Sequence, residues 1–186
     1  MIVNYLGDGC FRLQSGEVSL ITNPSNNRFK ADVVLRTLVP AATEAPTDEI
    51  VFPGEYEVKN IEIRGFAAAN DSTEKYLKTI YLVTWEEMRF LFLGHIAEMP
   101  DGDIMEEISE PDVLFIPTGE HYLTGEEAVK LMKKLEPRVT IPSFFKSPAE
   151  FLKAAGAKAE TEEKFVFKKK DLAETKSRII VLENKN

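Results

Sequence analysis

The stretch Pro53-Gly54-Glu55-Tyr56-Glu57-Val58-Lys59 stands between two strand-like runs, Glu49 to Phe52 and Ile61 to Phe66. Proline presets one backbone dihedral and glycine accepts the left-handed values of a tight turn, so Pro53-Gly54 punctuates the chain there. Upstream, Ile2 to Leu6, Cys10 to Leu13 and Val18 to Ile21 are short apolar runs separated by the turn clusters Gly7-Asp8-Gly9 and Ser15-Gly16. Ala31 to Leu35 suits a strand buried on both faces, and Pro40 to Asp48 reads as a loop. Downstream, Thr79 to Thr84 and Met88 to Leu93 flank Trp85-Glu86-Glu87 as a hairpin, after a second loop over Ala67 to Lys75.

The second half changes rhythm. Asp103 is placed to cap a short helix carrying Ile104, Met105 and Ile108 inward, and Val113 to Ile116 is a brief apolar strand. Thr124 and Glu127 form a capping box, in which hydroxyl and carboxylate satisfy free backbone N–H groups reciprocally. Behind it Ala128, Leu131, Met132 and Leu135 share one helical face until Pro137. Arg138 to Ile141 is a strand, Ser147-Pro148-Ala149-Glu150 opens a further helix that Gly156 ends, and Lys164 to Phe167 and Arg178 to Val181 are closing strands. Antiparallel β followed by strand–helix alternation predicts two sheets with helices outside, in one domain over residues 1–186.

Composition narrows the function classes. Of 186 residues, 44% are hydrophobic and 29% charged, which is globular usage. Thirty-one acids against 23 bases give a net charge of −8, a field that repels duplex nucleic acid. Lys168-Lys169-Lys170 lies beside Glu162, Glu163 and Asp171 and reads as a solvated strand end, so no nucleic-acid partner is expected. No apolar run approaches the roughly 20 residues of a membrane span. The N-terminus carries no signal-like segment, and the single cysteine, Cys10, fits a reducing compartment; the expectation is a cytoplasmic protein off the membrane. No P-loop, dinucleotide glycine fingerprint, G-x-S-x-G elbow or CxxC pair is present.

Several strings together resemble one family. Leu6-Gly7-Asp8-Gly9-Cys10-Phe11 is similar to the opening L-G-H-S-C-F of small, lactonase-like zinc hydrolases of the metallo-β-lactamase superfamily, and residues 53–59 match its P-G-E-Y-E-V-K segment. Thr79 to Val83 with Leu91-Phe92-Leu93-Gly94 resembles the hairpin leading to L-G-D. Asp112 to Pro117 and Glu136 to Pro142 resemble D-V-L-x-I-P and E-P-K-x-x-I-P. The matches run in order along nearly the whole chain. The resemblance implies an αβ/βα four-layer sandwich, two mixed β-sheets with outer helices, and a site at the edge the sheets share. Glu55 and Glu57 sit in a family string that is not a ligand motif and read as structural.

The same resemblance implies a zinc site, and its donors are missing. Where an H-x-H-x-D-H loop should follow Ala31 to Leu35, the chain has Arg36-Thr37-Leu38-Val39-Pro40-Ala41-Ala42-Thr43-Glu44. The first family histidine falls on Asp8, the bridging aspartate of L-G-D on His95, and the histidine of I-P-M-H-Y on Phe144. Only two histidines exist, His95 and His121, whereas catalytic zinc takes about three protein ligands plus an open position for water. A rebuilt rim of Asp8, Glu44, Asp71, His95, Glu120 and His121 would suit magnesium, manganese or calcium better than zinc. Against that stands the plainer reading of ordinary rim residues. His95 reads as either a general base or a hydrogen-bonded structural histidine, His121 as exposed, and Cys10 as a small buried hydrophobe.

Two functions remain open on sequence. One is a metallo-β-lactamase-fold protein without zinc or hydrolysis, needing no cofactor and binding a small ligand or a protein partner. Self-association, or pairing with an active homologue, is compatible with it. The other is a metal-dependent hydrolase with a divalent ion (zinc, manganese or magnesium) on Asp8, Glu44, His95 and His121, of which Asp8, His95 and His121 would be the catalytic candidates.

Overall fold

The computed structural model describes residues 1–26, 28–174 and 177–185. The N-terminal strands are β1 (Ile2–Tyr5), β2 (Phe11–Ser15), β3 (Val18–Thr22) and β4 (Val33–Leu35), followed by the short β5 (Leu38–Pro40). Then come β6 (Gly54–Val58), β7 (Ile61–Ala67), the ten-residue β8 (Tyr76–Trp85) and β9 (Met88–Phe92). Helix α1 (Gly102–Glu107) leads to β10 (Val113–Pro117), α2 (Gly125–Leu135), β11 (Val139–Ser143) and α3 (Ala149–Ala155). The chain closes with β12 (Thr161–Glu162), β13 (Phe165–Val166), α4 (Lys169–Ala173), β14 (Arg178–Ile179) and β15 (Val181–Leu182).

One sheet has the order β13-β1-β2-β3-β4, and the larger runs β14-β11-β10-β9-β8-β7-β6 with β5 attached to β8. Both are mixed: β3 and β4 run parallel in the first, as do β9, β10, β11 and β14 in the second. Side chains alternate across a strand, and β8 uses this fully. Tyr81 and Val83 face the first sheet, joining Val3, Leu13, Leu20, Phe115 and Ile141 in one buried cluster. Ile80 and Leu82 face the other way, onto Leu131 and Leu135 of α2 and Phe151 of α3. The α/β sandwich of two mixed sheets expected from the chain is the architecture observed.

Local differences have physical reasons. Residues 49–52 form only a bridge, Ile50 with Leu35, because Phe52 is followed by a proline that cannot extend a ladder. Gly54–Val58 is itself a strand, pairing with β7 at the edge of the sheet. Its turn is held by the Tyr56 hydroxyl, which donates to the Phe52 carbonyl at 3.0 Å. Asp101, not Asp103, occupies the N-cap of α1, and its carboxylate accepts from Asn70 Nδ2 rather than from the helix backbone. The lysine run lies at the start of helix α4 rather than at a strand end, since Asp171 accepts from the Lys168 N–H at 2.8 Å and Leu172 is buried. The short β5 precedes the predicted 40–48 loop and overlaps it only at Pro40; it exists because the start of β8 offers it backbone partners.

The capping box is present in full: Thr124 Oγ1 accepts from Glu127 N at 3.3 Å, and Glu127 Oε2 accepts from Thr124 N at 3.0 Å. Thr124→Ala is expected to cost about 1 kcal/mol of stability, read as a lower urea midpoint with an unchanged denaturant slope.

Candidate functional site

The strands deliver six loops to one edge of the sandwich: residues 6–10 after β1, 22–23 at the end of β3, 36–37 after β4, 94–95 after β9, 118–122 after β10 and 144–147 after β11. The carboxyl ends of parallel strands are where α/β sheets place their sites, because the connecting loops there can diverge without disturbing the ladder. Gly7, Asp8 and Gly9 all have positive φ (84°, 47° and 70°), so the 6–10 loop folds back tightly and Leu6 N bonds Cys10 O at 2.8 Å.

Phe144 decides what this edge contains. Its φ is 61°, unusual for a bulky residue, and its N–H donates to the Tyr5 hydroxyl at 3.1 Å. Strain of this kind persists only where the surroundings over-determine it. The ring lies over Gly9: a Cβ built there would sit 2.1 Å from Phe144 Cζ. On its other sides the ring stacks with Tyr122 at 4.3 Å and tilts against His95 at 4.8 Å between centroids. A second close fit adjoins it, where the missing side chain of Gly94 leaves room for Thr37, 2.3 Å from the Cβ position. The space left between Gly9, Thr37, Asn23 and Phe144 is only about 10 Å³.

Under the ring runs a neutral hydrogen-bonded chain. Asn23 Nδ2 donates to the Gly9 carbonyl at 3.3 Å, and its Oδ1 accepts from Thr37 N at 2.9 Å, which fixes the amide orientation. The Thr37 hydroxyl donates to the same Oδ1 at 3.1 Å, so at 2.7 Å it accepts from His95 Nδ1. His95 therefore carries its proton on Nδ1 and its lone pair on Nε2. Burial, reinforced by the Lys78 ammonium, lowers its pKa from 6.5 to about 4, so the imidazole is neutral at neutral pH.

The other rim candidates are dispersed. Asp8 is exposed, and Glu44 is exposed in the loop after β5. Asp71 is committed to structure: its carboxylate pairs with Lys78 Nζ at 2.7 Å and accepts from the N–H groups of Ala97 and Glu98. Glu120 lies 3.6 Å from Lys146, and His121 is exposed beside it. Cys10 is buried, and burial pushes its thiol up to about 12, which removes the thiolate a nucleophile needs. Among the described residues, no three His, Cys, Asp or Glu side chains are grouped to hold a metal ion. With one imidazole nitrogen beside a threonine hydroxyl, a carboxamide and a phenyl ring, the donor set does not fit a zinc centre.

Sequence reading missed Asn23, Tyr5 and Tyr122. Asn23-Pro24 after a strand is a turn signal, but that Asn23 orders Thr37 and, through it, His95 is visible only in three dimensions. It also missed Arg36, whose guanidinium grips both oxygens of Glu49 at 2.7 and 2.8 Å and the Pro24 carbonyl at 2.8 Å, closing the 36–49 loop.

A family model described as the Beta-lactamase superfamily domain matches residues 2–143. The chain belongs to the metallo-β-lactamase superfamily. Two curated relatives carry the description UPF0173 metal-dependent hydrolase. That of Archaeoglobus fulgidus is 29% identical over 96 residues, covering 47% of this chain and 42% of the relative. That of Methanosarcina mazei is 31% identical over 77 residues, covering 37% and 34%. The chain thus spans less than half the length of these curated relatives. Among solved structures, a Thermotoga maritima protein assigned to the zinc-dependent hydrolases of this superfamily superposes with a TM-score of 0.79 at 23% identity, over 98% of this chain and 99% of that one. A metallo-β-lactamase fold protein of Bacillus subtilis gives 0.69 at 9% identity, over 98% and 96%. A diiron β-hydroxylase from Streptomyces venezuelae gives 0.60 at 13%, over 96% of this chain and 52% of that one. These likenesses are to the fold, which in the superfamily carries more than one chemistry.

Two outcomes follow from the site's geometry. Because His95 has a folded pKa of about 4 against 6.5, the unfolded chain takes up its proton first as pH falls. Its contribution to stability is complete above 6.5 and declines towards 4. His95→Gln should flatten that part of the profile relative to wild type in urea titrations at about pH 7.5 and about pH 5. Gly9→Ala should destabilise strongly, and in a double-mutant cycle Phe144→Ala should recover about 1 kcal/mol or more of that loss. Additive losses would mean the ring does not occupy the Gly9 space.

Proposed function

We propose that this chain is a metallo-β-lactamase-fold protein that works without zinc and without hydrolysis, and that it binds a small ligand or a protein partner. One observation carries the reading: the Phe144 ring stands where a side chain on Gly9 would be, in the space between the loops that hold metal in the family resemblance. Asn23, Thr37 and His95 support it, because each spends its hydrogen-bonding capacity on a neighbour, leaving Nε2 of His95 as a solitary nitrogen donor. Catalytic zinc activates water by holding it in an open fourth position behind about three protein ligands.

The competing reading, a metal-dependent hydrolase with a rebuilt site, draws on the description of the curated relatives. It would require Asp8, Glu44, His95 and His121 to converge on one ion, and three of these four are exposed on separate loops. Elemental analysis of tag-free protein separates the two. We expect zinc, manganese and magnesium all far below one equivalent per chain, unchanged in a variant lacking Asp8, His95 and His121. A stoichiometric ion in the wild type that vanishes in that variant would establish the hydrolase reading instead.

A further inference from the structure

Adjoining the filled metal edge, and sharing its 118–122 and 144–147 loops, lies an open cleft of about 490 Å³ that extends along the 144–151 segment. Its volume falls within the roughly 300–1,000 Å³ of small-molecule sites. Tyr122, Phe144 and Phe145 line it, all half-buried, and the fully buried Phe151 forms its floor. Tyr122 and Phe144 are already stacked at 4.3 Å, and Phe145 packs against the Tyr5 ring at 6.2 Å. The rings are thus held in place before any ligand arrives.

The charges around these rings are unbalanced. Glu120 and Glu150 line the cleft against one lysine, Lys146, whose side chain is 95% exposed and whose ammonium lies 3.6 Å from Glu120. Glu150 makes no ion pair among the described residues. Asp8 lies within electrostatic reach of the wall: after burial, its carboxylate is a principal influence raising the Tyr122 hydroxyl and also acts on Tyr5. The whole chain carries −8. Aromatic faces present negative potential, and a cation over them is stabilised most where water is partly excluded. An anion would meet the same faces and an excess of carboxylates.

We propose that this cleft binds a small organic cation, an alkylated or quaternary ammonium group seated against Tyr122, Phe144 and Phe145 with Glu120 and Glu150 at its rim. The inference rests on the metal-free reading above, since it treats the adjoining edge as packed protein rather than a reaction centre.

Titration of the full chain with benzyltrimethylammonium, followed by calorimetry or amide chemical shifts with EDTA present, tests it. Benzyl alcohol and benzoate serve as neutral and anionic counterparts. The cation should bind saturably and more tightly than either. Tyr122→Leu or Phe145→Leu should weaken it roughly three- to tenfold. Lys146→Gln, a change at an exposed side chain that leaves the fold intact, should strengthen the cation and weaken benzoate. Benzoate or benzyl alcohol binding as tightly as the cation, no saturable cation binding, or an affinity unmoved by Lys146→Gln would each overturn the proposal. Metal content measured on the same sample keeps the two readings apart: stoichiometric metal removes the premise, whereas metal-free protein that ignores the cation removes only the ligand assignment.

Discussion

The contact between the Phe144 ring and Gly9 depends on three backbone conditions at once. The 6–10 loop must run through three consecutive positive-φ residues, Gly9 must lack a side chain, and Phe144 must hold a left-handed conformation that a bulky residue adopts reluctantly. Each is costly or restrictive alone, and together they are mutually supporting. The Tyr5 hydroxyl accepting from Phe144 N ties the strained residue back to β1, so the ring's position is set by the sheet rather than by a free loop. Once the ring is there, His95, Tyr122 and the cleft beyond it have fixed neighbours.

Beneath that ring, polarity is handled without charge. A buried ion needs partners or neutralises itself, and this edge holds a carboxamide, a hydroxyl and a neutral imidazole in a chain where each donor meets an acceptor. The formal charges lie farther out, in Arg36–Glu49 and Lys78–Asp71, where they staple loops to the sandwich. The superfamily scaffold keeps its loops in place here by hydrogen bonds and ring packing.

The scaffold was legible because its signals are local. Turn clusters at Gly7-Asp8-Gly9, alternation in β7, the hairpin of β8 and β9, and the Thr124–Glu127 capping box each report on a few neighbouring residues, and family strings such as residues 53–59 tie those reports to one fold. The errors were also local: a proline curtailed the 49–52 strand, and one carboxylate, Asp171, turned a lysine run into a helix start.

By itself the amino-acid sequence determined the α/β class, the scarcity of nitrogen donors and, through its family strings, the resemblance to the superfamily, since periodicity, composition and short motifs are properties of the chain. Tertiary structure alone decided what occupies the edge where those donors would have stood. Asn23, Thr37, His95 and Phe144 are separated by up to 121 residues in the chain and have no shared pattern within it. Their coupling arises because β1, β3, β4, β9 and β11 end at the same edge, where a missing Cβ on one loop makes room for a ring or a hydroxyl from another. Such complementarity belongs to the packed space between loops, and no one-dimensional reading contains it.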